Sequence, residues 1–311
     1  MSLALEYPVG FAVLCAIFGL IVGSFLNVVV YRVPRILLRQ WGADAAGLLR
    51  DDDVAAELKL EAPLREKIDS ITESVGQHLA ALSPLGIALP GSSCPSCGHA
   101  ITPLENIPII SWLFLRARCS ACKTRISARY PIVEGLVAVL FGLVAWQFGA
   151  TPTTAAALVL CAILVALTLI DADRQLLPDT LTLSLLWIGL LVNLAPFGFA
   201  PIREAVIGAV AGYLTFWLVA TGFRLLRGIE GMGGGDLKLL AALGAWFGWT
   251  SLLPIILVSA GVGSVVGVSL MLARRATMLT RLPFGVYLAP AGIGMLFFRT
   301  QILALLLPGG H

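Results

Sequence analysis

The sequence predicts an all-α polytopic membrane protein of about eight transmembrane helices, carrying a zinc-binding loop domain on the cytoplasmic side. Three observations lead there. Hydrophobic residues make up 58% of the chain and charged residues 13%, with a mean hydropathy of +0.92, against roughly 25% charged residues in an average soluble domain. Apolar runs long enough to cross a ~30 Å hydrocarbon core begin near Gly10 and recur from Ile132 onward. Nearly all the water-soluble sequence falls in one block, Val33 to Tyr130, which contains two C-x-x-C pairs.

The expected spans are 10–31, 132–149, 154–170, 180–197, 205–223, 237–250, 252–273 and 285–307. The first run is read as a retained helix and not a secretory signal, because its flank carries Glu6 and no Lys or Arg. Its polar residues Ser24 and Asn27 lead into Tyr31 and Arg32, not into a small-residue cleavage site. Residues 1–32 thus form the first membrane helix, 33–131 a cytoplasmic loop and 132–311 the main membrane domain. The span 237–250 is the weakest, since 14 residues rise only ~21 Å; seven crossings are the alternative to eight.

Charge sets the orientation. With the N-terminus outside, the cytoplasmic segments collect Arg32, Arg35, Arg39, Arg116, Arg118, Lys123, Arg125 and Arg129, then Arg174, Arg224, Arg227, Arg274, Arg275 and Arg281. Arg203 and Arg299 fall near the opposite side. That asymmetry follows the positive-inside rule.

Within the soluble block, Leu64, Ile68, Ile71, Val75, Leu79 and Leu82 recur at spacings of three and four. They predict one amphipathic helix, opened by Pro63 and closed by Pro84. The acidic run Asp51, Asp52, Asp53 reads as a solvated face or helix start. Cys94-Pro95-Ser96-Cys97 and Cys119-Ser120-Ala121-Cys122 are separated by a stretch typical of two-knuckle zinc sites. Four thiolates close a tetrahedral shell, so the metal would fold the loop and not act on substrate. A pair of redox dithiols is the rival reading. His99 is a further candidate ligand. Cys15 and Cys161 lie in apolar helices and read as small core residues. The stretch Glu105-Asn106-Ile107-Pro108-Ile109-Ile110-Ser111-Trp112 lines a ligand pocket or forms the core of the module.

After Glu134 the acidic residues are Asp171, Asp173, Asp179, Glu204, Glu230 and Asp236. Carboxylates inside or at the mouth of a membrane bundle are costly and mark function. Asp171 follows directly on an expected span, and Asp236 follows the glycine-rich run Gly231 to Gly235 and opens the next. Two aspartates sharing one proton can divide the work of peptide hydrolysis. No Ser, Cys or His arrangement in the membrane half offers a competing nucleophile. These residues leave three readings open: an aspartyl protease, a proton-coupled transporter with a structural zinc loop, and a structural membrane protein.

The chain also resembles the type IV prepilin peptidase family, bifunctional leader peptidases and N-methyltransferases. The resemblance runs through Gly23-Ser24-Phe25-Leu26-Asn27-Val28-Val29-Val30-Tyr31-Arg32, both C-x-x-C pairs, Glu105-Asn106-Ile107-Pro108 with Ser111-Trp112, and Arg129-Tyr130-Pro131. It continues through Asp171, Leu177-Pro178-Asp179 and the G-x-G-D element Gly233-Gly234-Gly235-Asp236. The resemblance implies that Asp171 and Asp236 are the catalytic pair, with Asp173 a bystander. It further implies cleavage after a glycine preceding the apolar helix of a prepilin or pseudopilin, then methylation of the new amino terminus by S-adenosylmethionine. Residence in the bacterial inner membrane follows, with the lipid bilayer as partner and no role for nucleic acid. No G-x-G-x-x-G follows a strand, so the methyl donor has no Rossmann pocket here. The stretch from Arg35 to Leu89 is longer than the family usually carries.

Overall fold

The apolar runs fold as helices, but the first does not stop where the hydropathy does. The computed structural model describes residues 8–228, 233–273 and 283–306. The expectations resting on Glu6, Glu230, Gly231, Met232, Arg274, Arg275 and Arg281 fall outside them. Helix α1 (Pro8–Arg50) has 43 residues and rises ~65 Å, about twice the hydrocarbon thickness. Beyond Arg32 it continues through good helix formers, and Pro34 removes one donor without ending it.

Asp51 then caps α2 (Asp52–Glu57), its carboxylate accepting from the Asp53 and Val54 N–H groups. The expected amphipathic helix is α3 (Ala62–Ala81). A 3-10 turn at Leu104–Asn106 and the short α4 (Ile110–Phe114) follow. Among the described residues, extended pairing is confined to two isolated bridges, Ser93 with Ala100 and Arg118 with Arg125.

The membrane half contains α5 (Arg129–Phe148), α6 (Pro152–Arg174), α7 (Asp179–Leu194), α8 (Ile202–Arg227), α9 (Gly234–Phe247), α10 (Leu252–Leu272) and α11 (Gly285–Leu306). By length and composition α1, α5, α6, α8, α10 and α11 suffice to cross a membrane. The expected count of eight therefore divides. Helices α7 and α9, at 16 and 14 residues, rise only ~24 and ~21 Å.

The chain separates into two compact units, Val28–Thr102 and the remainder. In the first, the buried Arg32 guanidinium donates to the carbonyls of Gly86 (2.9 Å) and Ile87 (3.2 Å), and Arg39 to that of Ser83 (2.8 Å). These bonds hold the segment after α3 against α1. In the second, α9 packs on α7 and α8, and α6 on α11.

Helix α9 explains how a short helix sits in such a bundle. Leu239 through Phe247 are all buried. Gly208 and Gly244 bring α8 and α9 into backbone contact, and a Cβ on either would run into the other's carbonyl. Small residues of this kind let membrane helices approach where the hydrophobic effect gives no drive between them. The last carbonyls of α9 also find donors: Asn193 bonds those of Ala245 (2.7 Å) and Trp246 (2.9 Å), and Arg299 that of Phe247 (2.9 Å). Its C-terminal end is thus satisfied inside protein, as a low-dielectric setting requires.

Candidate active site and cysteine cluster

Helix α6 runs on to Arg174, so Asp171 stands in its last turn and not beyond its end. The side chain is 4% exposed. Its Oδ2 accepts from the Val286 N–H at 3.0 Å, and the Gly285 N–H also donates to the carboxylate. Gly285 and Val286 open α11, where helical N–H groups lack partners along the chain. The carboxylate therefore caps α11 at its positive end.

Asp236 comes from the first turn of α9, where a carboxylate likewise meets the positive end of a helix. It is half-buried and near enough to Asp171 for the two charges to act on each other. Leu177 packs against the backbones of Gly235, which precedes Asp236, and of Gly285, which donates to Asp171. A Cβ at Gly235 would fall 2.6 Å from Leu177 Cβ, and one at Gly285 would fall 3.1 Å from Leu177 Cδ1 and 2.8 Å from Asp171 Oδ2. Glycine at both positions is a condition of this packing.

Each aspartate has an ion pair two residues further along its helix. Asp173 pairs with Arg129 through two bonds of 2.8 Å, and Lys238 pairs with Asp179 at 2.6 Å. Two residues along a helix turn ~200°, so Asp173 projects away from Asp171 and is occupied elsewhere. The Gly285 and Val286 amides, and the Arg129 and Lys238 partnerships, were not legible from spacing. Each joins segments far apart in the chain, and a sequence gives no register between such segments.

The other predicted cluster also assembles. One sulfur from each of Cys94, Cys97, Cys119 and Cys122 lies within 4.8 Å of the other three, and none is disulfide-bonded. Four thiolates at ~2.3 Å from one tetrahedral ion would stand ~3.8 Å apart, so the arrangement fits a single metal ion. The two knuckles are built alike. The N–H of Cys94 donates to His99 and that of Cys119 to Thr124, both at 2.9 Å, while Gly98 and Lys123 donate back to Cys94 and Cys119. Gly98 (φ +72) and Lys123 (φ +60) both occupy left-handed backbone immediately after the second cysteine. Two separate redox dithiols would not require all four sulfurs in one cluster.

Residues 17–148 match the family model described as the bacterial peptidase A24 N-terminal domain. Residues 158–268 match that of the type IV leader peptidase family. Among relatives named prepilin leader peptidase/N-methyltransferase, that of Aeromonas hydrophila is 47% identical over 94% of this chain and 93% of its own. That of Pseudomonas aeruginosa is 46% identical over 96% and 93%, and that of Neisseria gonorrhoeae 46% over 84% and 82%. None of these names describes a transporter. No solved structure matches the chain. On these matches, which together cover most of its length, the chain belongs to the type IV leader peptidase family.

Proposed function

We propose that the protein cleaves the leader from type IV prepilins and pseudopilins after a glycine, using Asp171 and Asp236, and then methylates the exposed amino terminus. The observation that supports this most is the meeting of two carboxylates from α6 and α9, each set on a helix N-terminus or first turn. With one proton between them, one carboxylate takes a proton from water as its oxygen adds to the scissile carbonyl carbon. The other donates to the carbonyl oxygen. As the resulting diol collapses, the carbon–nitrogen bond breaks, the first aspartic acid protonates the leaving amine and the second recovers a proton from the diol.

Cys94, Cys97, Cys119 and Cys122 would hold a zinc ion whose closed shell folds the loop. We assign methyl transfer from S-adenosylmethionine to this loop, residues 33–131, and hydrolysis to residues 132–311. Incubating the detergent-solubilised protein with a prepilin, with and without S-adenosylmethionine, tests the proposal by mass spectrometry. Leader loss in both samples and a methyl group only in the second are expected. An intact prepilin in both would overturn it.

The glycine beside the pair gives a sharper test. Gly285→Ala is expected to lower cleavage about 100-fold, the usual effect of displacing a reacting group by ~1 Å. Gly233→Ala, whose Cβ would come no nearer than 3.8 Å to Asp236 Oδ2, should remain close to wild type. Equal rates for the two would remove the Asp171 carboxylate from the reaction.

Orientation follows from charge: the N-terminus in the periplasm, the aspartates and cysteines toward the cytoplasm of a bacterial inner membrane. In intact cells, cysteines placed at Ala150 and Pro196 should react with an impermeant thiol reagent, and one at Arg227 should not. Labelling at 227 from outside would invert the topology.

A further inference from the structure

Residues 104–114 carry large apolar side chains that the protein leaves exposed. After the 3-10 turn the chain passes through Ile109 into α4. Ile109 has φ +57 and ψ −49, backbone that a β-branched residue adopts only when its surroundings hold it there. The Ile110 N–H donates to the Pro108 carbonyl at 2.5 Å, closing a γ-turn about Ile109. The Ile109 N–H donates to Glu134 Oε2 at 2.7 Å. Glu134 is buried in the second turn of α5 and accepts a further bond from the Ser24 hydroxyl of α1.

That bond fixes a depth. Helix α5 has 20 residues, ~30 Å, which matches the hydrocarbon core. Arg129 and Tyr130 at its start are residues of the membrane boundary. Glu134 lies ~7.5 Å further along the axis, and helical side chains lean back toward the helix start. Ile109 therefore sits level with the first two turns of α5. A Cβ at Gly135 would also touch Ile109 Cδ1 at 3.8 Å.

At this level the exposed side chains of the segment are apolar apart from Asn106. Leu104 is 76% exposed, Leu113 61% and Phe114 84%. The lipid face of α5, through Ile132, Leu136 and Val139, begins at the same boundary. The backbone suits a dry setting as well: the amides of Ser111, Leu113, Leu115, Arg116 and Ala117 all donate to carbonyls of the same segment, and Glu134 takes that of Ile109. Bonds of this kind leave these amides satisfied where lipid offers no partner. Arg116 and Arg118, both exposed, follow directly.

We propose that residues 104–114 are an interfacial anchor seated at the headgroup–acyl boundary of the bilayer, with Leu113 and Phe114 inserted and Arg116 and Arg118 reaching the lipid phosphates. The inference needs α5 to span the membrane and does not depend on the peptidase reading. Its consequence is that the knuckle beginning at Cys119 is tethered to the membrane surface just ahead of its first cysteine.

The test uses the full-length protein in nanodiscs of phosphatidylethanolamine and phosphatidylglycerol, with a fluorescent coumarin amino acid replacing Phe114. Doxyl-labelled lipid carrying the spin label high on the acyl chain should quench it roughly threefold more than aqueous iodide, as an inserted aromatic requires. Stronger quenching by iodide would overturn the anchor. So would protection from both quenchers, which would mean that protein and not lipid covers the ridge. In the same protein Glu134→Ala should shift quenching toward iodide and Glu134→Gln, which keeps the acceptor, should restore the lipid pattern; no shift with alanine would overturn the depth argument.

Discussion

Asp171→Asn and Asp236→Asn are each expected to lower prepilin cleavage by about 10²- to 10⁴-fold, the usual worth of a positioned acid or base. Asparagine at 171 keeps an oxygen for the Gly285 and Val286 amides, so the cap on α11 survives and the loss reports proton transfer. Membrane insertion and helical content should be unchanged. Asp173→Ala provides the contrast. It breaks a partly exposed pair with Arg129, and such pairs contribute ~0.2–1 kcal/mol at most. Its cleavage rate should stay within a fewfold of wild type. Near-normal rates for either asparagine variant would move the chemistry to other residues.

The second large effect concerns the cysteines. Replacing Cys119 and Cys122 by serine should remove about one zinc per chain, the content of a single four-thiolate site. Metal analysis reads this directly. The two knuckles have few buried groups of their own, since Cys97 and Cys122 are exposed, so binding energy and folding energy are largely the same quantity here. Methylation should therefore disappear in the variant. Cleavage should persist to the extent that the loop does not position the leader for the aspartates. Wild-type protein active in both reactions yet free of metal would refute the zinc assignment.

Legibility followed the range of each interaction. The amphipathic stripe from Leu64 to Leu82 and the boundaries Pro63 and Pro84 are local, and α3 (Ala62–Ala81) carries Pro63 in its first turn and ends before Pro84. Among the described residues, hydropathy found the six helices long and apolar enough to cross a membrane, because each must be apolar along its own length; it also offered 180–197 and 237–250, where α7 and α9 have 16 and 14 residues. It misplaced the end of the first, since a helix leaving the bilayer loses its apolar run without losing its hydrogen bonds; α1 continues to Arg50. The C-x-x-C spacing is also local, and all four sulfurs meet. The capping of α11 by Asp171, the Lys238–Asp179 pair and the Glu134–Ile109 bond depend on how distant segments dock. Glu134 in particular could be read from sequence as one more acid at a helix start, because its bond to Ile109 is to a backbone amide and leaves no trace in residue type.

Bilayers differ in thickness, and helices that touch lipid adjust to them by tilting. Helix α9 has no such obligation, being enclosed by α7, α8 and α11 with its final carbonyls held by Asn193 and Arg299. A change in acyl-chain length acts on the outer helices first. Asp236, at the start of this inner post, is thereby mechanically insulated from the surrounding lipid, and its distance from Asp171 is set by protein packing.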